Sequence, residues 1–300
     1  MNSLRGTELG KSPPRHLSRH HKKKEVIITM PLQPNIEGIK ERLLVYGLAG
    51  SGKTRGYLSI LKLAAMTGSD AKGYVIDSDG GSVAHMLGAS DTFAKIRDRV
   101  EIHEVYEWPD WVEAANRIQK AAKPGDWVLI DMISDAWDAV QNYVTEQVYE
   151  CDRGDFMLGY RLKIQKQRKN KGNNKGEAPA NDQVDWQAIK ALYKQFMAMI
   201  YLRTKANVYA TASQRDLRTD YMADSKDLRR MFGEVGVLPQ GEKNLAHRFH
   251  TVLLCTGSQS KGEWALTTIK DREREAMEDH QVKDFARDYL IKIAGWGIRK

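Results

Sequence analysis

Short apolar runs alternate with amphipathic stretches along most of this chain. Apolar runs of four to eight residues are typical of buried strands, and apolar residues three and four apart are typical of helices. On these patterns we predict strands at 42–46, 73–77, 100–105, 127–131 and 208–212 and helices at 53–66, 111–122, 134–148 and 186–201. Regular alternation of strand and helix indicates a mostly parallel sheet with helices on both faces.

The pattern changes towards the end of the chain. Residues 214–245 are charged and irregular, and then 251–255 and 264–269 are predicted to pair as a hairpin through a polar connection. Residues 289–293 form one more apolar, strand-like run. We therefore predict an α/β fold whose mostly parallel sheet, flanked by helices, carries a late β-hairpin at a mixed edge.

Two segments lack both periodicities. Residues 1–35 are polar, basic and without period, which is typical of a disordered tail. Residues 152–183 have almost no large apolar residue after Ile164, so we predict a mobile basic loop there. The remaining chain, 36–300, is long enough for one large α/β domain.

Composition is that of a globular protein, with 41% hydrophobic and 29% charged residues among 300. No apolar run approaches about 18 residues, so no membrane span is predicted. The basic start is not followed by the apolar region of a secretory signal. Cys151 and Cys255 show no metal-binding or disulfide spacing. These features favour a cytoplasmic protein, or one in the host cytoplasm if it is viral.

The positive charge is concentrated in two places. The net charge is +8, residues 1–30 contribute +5 and residues 153–177 contribute +6, so the rest of the chain is −3. Basic segments on a mildly acidic body favour a polyanionic partner, nucleic acid first, with 15–24 and 161–175 following the phosphates. The alternative is that both are solvated segments that keep the protein soluble.

The most specific motif is RLLVYGLAGSGKT at 42–54. It has the G-x4-G-K-T spacing of a Walker A loop, preceded by a predicted strand and followed by a predicted helix. Glycine allows such a loop to turn its N–H groups towards phosphate oxygens, Lys53 would reach the β- and γ-phosphates, and Thr54 would hold Mg²⁺. We predict that ATP contacts Gly47, Leu48, Ala49, Gly50, Ser51, Gly52, Lys53, Thr54 and Arg55.

Acidic residues end two later predicted strands. Asp131 closes the strongly apolar run WVLID and is the natural second Mg²⁺ ligand, because open α/β sheets bind ligands at the carboxyl ends of their strands. The alternative is an acid that caps the next helix. Asp77 and Asp79 follow the second strand, where they would supply a catalytic base or cap a helix beginning near Ser82.

The order of these motifs resembles the RecA-like ATPase superfamily: a Walker A loop, an acid-ended strand, a Walker B strand and a strand ending in ATASQR. The resemblance covers about residues 40–275. It implies that Asp79 is the general base, although the family usually has Glu there, and Asp77 or Glu104 are alternatives. It also implies that Gln214 senses the γ-phosphate.

The same resemblance implies an assembly. Lys270 and Arg272 are similar to paired fingers that RecA-like rings place at a neighbouring subunit's nucleotide; the alternative is an exposed charged turn. The chain is most similar to short phage RecA-like ATPases of recombination, which work with single-strand binding and annealing proteins. The resemblance therefore implies a homo-oligomeric ring or filament on DNA, with single-stranded DNA as the favoured partner.

Two other functions share the Walker motifs. A DNA-packaging or terminase-type motor would add a nuclease domain, for which the chain has no room. A small-molecule P-loop kinase would need an arginine-rich lid, which residues 214–230 could imitate.

Overall fold

The computed structural model describes residues 40–89, 91–170, 182–218, 223–258, 263–271, 280–292 and 294–296. The predicted tail at 1–35 lies outside them. Within the described ranges nine strands form one sheet. They are β1 (Arg42–Gly47), β2 (Gly73–Asp77), β3 (Val100–Glu104), β4 (Trp127–Asp131), β5 (Asn207–Asp216), β6 (Val237–Pro239), β7 (Thr251–Ser258), β8 (Glu263–Lys270) and β9 (His280–Val282).

Helices fill most of the connections between these strands. The α-helices are α1 (Lys53–Met66), α2 (Ser82–Ala89), α3 (Trp108–Ala121), α4 (Ile133–Tyr149), α5 (Arg153–Asn170), α6 (Asp182–Ala198), α7 (Lys226–Phe232) and α8 (Leu245–Arg248). A 3-10 helix spans Asp91–Arg99, and π-helical turns span Met199–Arg203 and Ala286–Ile291. Among the described residues, no helix combines the length and apolar character that a membrane crossing needs.

The sheet has the order β3-β2-β4-β5-β1-β7-β8-β9, with β6 paired to β5 outside this row. The six strands β3, β2, β4, β5, β1 and β7 are parallel to their neighbours in this row, whereas β8, β9 and β6 are antiparallel to their partners. The predicted fold class is confirmed: a mostly parallel sheet flanked by helices, with a late β-hairpin.

Two hydrophobic cores hold the sheet between its helices. One contains residues of α3, α4 and α6, and the other contains residues of α1, α2 and the short helix at 286–291. Strands β2 and β4 are buried at every position, as expected for parallel strands covered on both faces. Their sequences are therefore continuous apolar runs rather than alternating ones.

The loop predicted at 152–183 is wrong where the structure describes it. Residues 153–170 form α5, and α6 already begins at Asp182, while 171–181 lie outside the described residues. None of residues 153–166 is buried. The loop prediction relied on missing apolar residues, but Arg, Leu, Lys and Gln all have high intrinsic helix propensity.

Two further predictions fail on short elements. The strand expected at 289–293 is instead the π-helical turn Ala286–Ile291, whose Tyr289 and Leu290 are fully buried. A short apolar run fits a buried strand or a buried helix equally well. The segment 214–245 is not wholly irregular, because it holds the end of β5 together with α7 and β6.

Candidate functional site

Strand register brings the predicted site residues to one edge of the sheet. Gly47 at the end of β1 lies beside Ser213 on β5. Asp131, Asp77 and Glu104 lie in line across β4, β2 and β3. The carboxyl ends of five parallel strands therefore meet at the edge where α1 begins.

The loop between β1 and α1 needs glycine at specific positions. At Gly47 a β-carbon would lie 2.2 Å from the carbonyl oxygen of Cys255 on β7, so no side chain fits without moving the strand. Gly50 and Gly52 have φ of 74° and 92°, the left-handed region that favours glycine. The Walker A spacing thus matches the backbone geometry of this loop.

The first turn of α1 is open to an anion. Its N-cap is Gly52, no side chain caps it, and its first turn holds no acidic residue. The first N–H groups of a helix have no partner within it, and they carry the positive end of the helix dipole. Such an end is a ready site for phosphate.

Lys53 is buried and folded over this loop. Its ammonium donates to the carbonyl oxygens of Leu48 (2.8 Å) and Gly47 (3.1 Å). Burial lowers the pKa of Lys53, and the nearby Asp131 carboxylate opposes that shift. The hydroxyl of Tyr209 donates to the Lys53 carbonyl at 2.8 Å, which fixes the start of α1 against β5.

Asp131 is 1% exposed and joins α1 to β4 and β5. Its Oδ2 accepts from the Thr54 hydroxyl at 2.8 Å, and its Oδ1 accepts from the Thr211 hydroxyl. Burial raises the pKa of Asp131, while the bonds from Thr211 and Thr54 favour the charged form. The structure therefore brings the two predicted metal ligands into direct contact.

These groups fit Mg²⁺ with a bound triphosphate. A hydroxyl and a carboxylate are hard oxygen ligands, and Mg²⁺ in such sites is held by one or two carboxylates together with phosphates and water. Within the described part of the chain, no group of three or more His, Cys, Asp or Glu forms a metal cage by itself. The hydroxyl of Thr54 and the carboxylate of Asp131 would hold the metal, and phosphate oxygens and water would supply its other ligands.

The second acidic strand end lies next to this contact. Asp77 is 2% exposed, and its Oδ1 accepts from the Asp79 N–H at 2.9 Å. Burial raises the pKa of Asp77. Asp79 itself is exposed, and its charge is close enough to contribute to the pKa shifts of Lys53 and Asp131.

The predicted sensor and fingers lie on β5 and β8. Gln214 is half-buried, one residue beyond the partner of Gly47. The Lys270 ammonium donates to the carbonyls of Ala246 (3.2 Å), His247 (3.4 Å) and Phe249 (2.6 Å) at the end of α8. Lys270 would have to leave these carbonyls to reach another subunit. Arg272 lies outside the described residues.

A buried thiol completes the wall of the loop. The Cys255 thiol donates to the Ser51 carbonyl at 2.8 Å. Burial raises the pKa of this thiol to about 11. Cys255 is thus a packing group whose carbonyl and thiol both touch the loop.

Comparison with known proteins adds little to this geometry. No family model and no curated protein matches the chain. Among solved structures, the crystal structure of the RadB recombinase matches 81% of this chain and 86% of its own at 16% identity, with a TM-score of 0.44. That likeness carries no argument about function, so the fold and site rest on the register and contacts described above.

Sequence reasoning missed the polar side chains that support Asp131 and Asp79. The Ser78 hydroxyl donates to Asp135 at 2.9 Å and accepts from the Met132 N–H at 3.0 Å, and the Ser78 N–H donates to the Asp131 carbonyl. Thr211 was equally unforeseen. For Thr211 the signal was available, since a hydroxyl at a buried strand position needs a hydrogen-bond partner.

Proposed function

We propose that this chain is a RecA-like P-loop ATPase that binds and hydrolyses ATP with Mg²⁺ and acts on DNA. The observation that carries the proposal is the Thr54–Asp131 contact beside buried Lys53, at a helix start with no cap of its own. Three independent requirements of triphosphate binding thus meet at one edge: open N–H groups, a cation and a hard-oxygen pair.

Each side chain has a distinct task in this proposal. Lys53 leaves its loop carbonyls and neutralises the β- and γ-phosphates, and Thr54 and Asp131 hold Mg²⁺. When bound, the metal neutralises charge that develops on the phosphates. Asp79, exposed at the strand end, accepts a hydrogen bond from the attacking water and orients it. Gln214 contacts the γ-phosphate from β5.

The DNA part of the proposal rests on charge. Arg161, Lys163 and Lys166 on α5 are all exposed, and they belong to a segment of strong positive charge. Exposed cations on a helix bind phosphates without reading sequence. We favour single-stranded DNA, in phage-type recombination or annealing, with 15–24 as a second basic segment outside the described residues.

The proposed setting is an oligomer in the cytoplasm. Lys270 and Arg272 would complete a neighbour's nucleotide site in a ring or filament, and a single-strand binding or annealing protein would be a partner. Lys270→Ala tests the first point. A finger that acts between subunits predicts that the variant alone loses turnover and that its mixture with wild type has more turnover than the wild-type subunits supply by themselves.

The central test is ATP turnover with and without single-stranded and double-stranded DNA, across a salt series. We expect Mg²⁺-dependent turnover that rises with single-stranded DNA, and DNA binding that weakens steeply with salt. Asp79→Asn should keep ATP binding and lose turnover. Turnover indifferent to DNA, together with no DNA binding at low salt, would remove the DNA part of the proposal.

A further inference from the structure

A cavity of about 190 Å³ opens beside the first turn of α1. Its walls include Gly52 and Arg55 from the loop and helix, Phe93 from the 3-10 helix, Trp264 from β8 and Phe285 near the end of the chain. It therefore shares Gly52 and Arg55 with the predicted ATP contacts, while its remaining walls come from other elements. None of the roles described above uses Phe93, Trp264 or Phe285.

Trp264 covers the loop at Gly52, the N-cap residue of α1. A β-carbon at Gly52 would lie 3.0 Å from both Cδ1 and Nε1 of the indole ring. The Trp264 Nε1 atom is buried and has no hydrogen-bond partner among the described residues. A buried donor without a partner is costly, and such groups in native proteins usually serve a ligand or water.

The guanidinium of Arg55 packs against two aromatic rings of this cavity. Its guanidinium carbon lies 5.7 Å from the centre of the Phe93 ring and 6.0 Å from that of Trp264. Guanidinium planes and aromatic faces are the surfaces on which nucleobases stack. The three side chains thus offer stacking contacts around one small space.

We propose that this cavity binds the purine base of the nucleotide whose phosphates lie on the 47–54 loop. The inference rests on the proposed function, since it needs a triphosphate at that loop. Sites for whole drug-sized ligands occupy roughly 300 Å³ or more, so this smaller cavity suits a ring system with the phosphates outside it. The Trp264 Nε1–H group donates to an acceptor of the bound nucleotide.

Calorimetric titration of the full chain in Mg²⁺ with four ligands tests this: ATP, GTP, CTP and inorganic tripolyphosphate. We expect the purine nucleotides to bind most tightly, CTP more weakly, and tripolyphosphate about 10- to 100-fold more weakly than ATP, the size of one stacked base. Trp264→Leu should bring the ATP affinity close to that of tripolyphosphate. Trp264→Phe, which keeps a ring but loses the N–H, should fall between.

Trp186→Leu is the matched control, because Trp186 is 43% exposed on α6 and does not line the cavity. If Trp264→Leu fails to fold, Trp264→Phe still tests the cavity, and the ligand series on the wild type still tests whether the base is bound at all. Equal affinity for ATP and tripolyphosphate would overturn the base site and leave the phosphate site intact. Failure of both ligands to bind would instead overturn the proposed function.

Discussion

Helices α1 and α3 are both 14 residues long and both follow a strand of the same sheet, yet their first turns are built differently. At α3, the Asp110 carboxylate accepts from the backbone N–H groups of Glu107 (2.9 Å) and Tyr106 (3.1 Å). At α1, a left-handed glycine takes the cap position and no acid follows. One helix satisfies its own N-terminus and the other does not.

The difference separates stability from binding. An acid in the first turn complements the helix dipole and stabilises the fold. At α1 the same acid would repel phosphate, and the first residue of this helix is instead the buried cation Lys53. The start of α1 is therefore less stable than it could be, which is expected where a site must remain free for a ligand.

The largest effect is expected from Lys53→Ala. Loss of a buried charge-assisted contact to phosphate should weaken ATP binding by about 1.5–3 kcal/mol, roughly 10- to 150-fold. Lys120→Ala, an exposed lysine in the last turn of α3, is the control and should change nothing. Titration of both variants with ATP gives the comparison, and an unchanged affinity in Lys53→Ala would mean that α1 does not bind the phosphates.

Gly52→Ala should have the next largest effect. A left-handed backbone costs a residue with a side chain about 1–2 kcal/mol, and the new methyl group would press on Trp264. We expect a lower denaturation midpoint and weaker ATP binding. Gly88→Ala in α2 has open space and a helical backbone, so it should stabilise by about 0.5–1 kcal/mol. If Gly88→Ala also lowers the denaturation midpoint, the loss of stability in Gly52→Ala cannot be assigned to the backbone of the loop.

Asp110→Ala should act on stability alone. It removes the acceptor from the first turn of α3 and should cost about 1 kcal/mol in the free energy of unfolding. ATP affinity should not change, because Asp110 lies in a different connection. Chemical denaturation and titration on the same preparation check both halves. Weaker ATP binding by Asp110→Ala would contradict the proposal that the first turn of α3 serves stability and only that of α1 serves ATP binding.

The smallest effect concerns pH. Burial raises the pKa of Asp131 above 3.8 in the folded state, so its contribution to stability is present below the ordinary pKa and is lost as pH rises through the raised one. Without nucleotide, Asp131→Asn should therefore gain stability relative to wild type as pH rises from about 4.

Asp224 provides a control of opposite sign. The hydrogen bonds from Arg215 lower the pKa of Asp224 to about 2. Asp224→Asn should therefore lose stability relative to wild type as the pH rises from about 2 through the ordinary pKa of an aspartate. Denaturation midpoints across the pH series measure both. Parallel trends in the two variants would contradict the assignment of Asp131 as a buried acid.

The central elements were predictable because each carries a local signal. The bounds predicted for β2, β4 and α1 agree with the structure, since continuous apolar runs and the Walker A spacing fix them. The contact between Thr54 and Asp131 followed from placing both at the carboxyl edge. Local pattern was sufficient wherever strand, loop and helix were consecutive.

The remainder depended on contacts between distant parts of the chain. Helix α5 buries no residue at 153–166, so its sequence carries no amphipathic signal. Trp264 is about 210 positions from Gly52 and reaches it only because β7 pairs with β1, and β8 with β7. No periodicity in the sequence records that neighbourhood.

The Cys255 thiol offers a way to observe this loop in solution. Its sulfur is buried against the Ser51 carbonyl, and a thiol with a pKa near 11 is almost entirely protonated at neutral pH. The thiolate, not the thiol, attacks alkylating reagents, so the rate at which Cys255 is modified reports how often the loop opens and exposes it. The half-exposed Cys151 serves as an internal reference. The chain thus contains its own reporter of loop opening, without an added label.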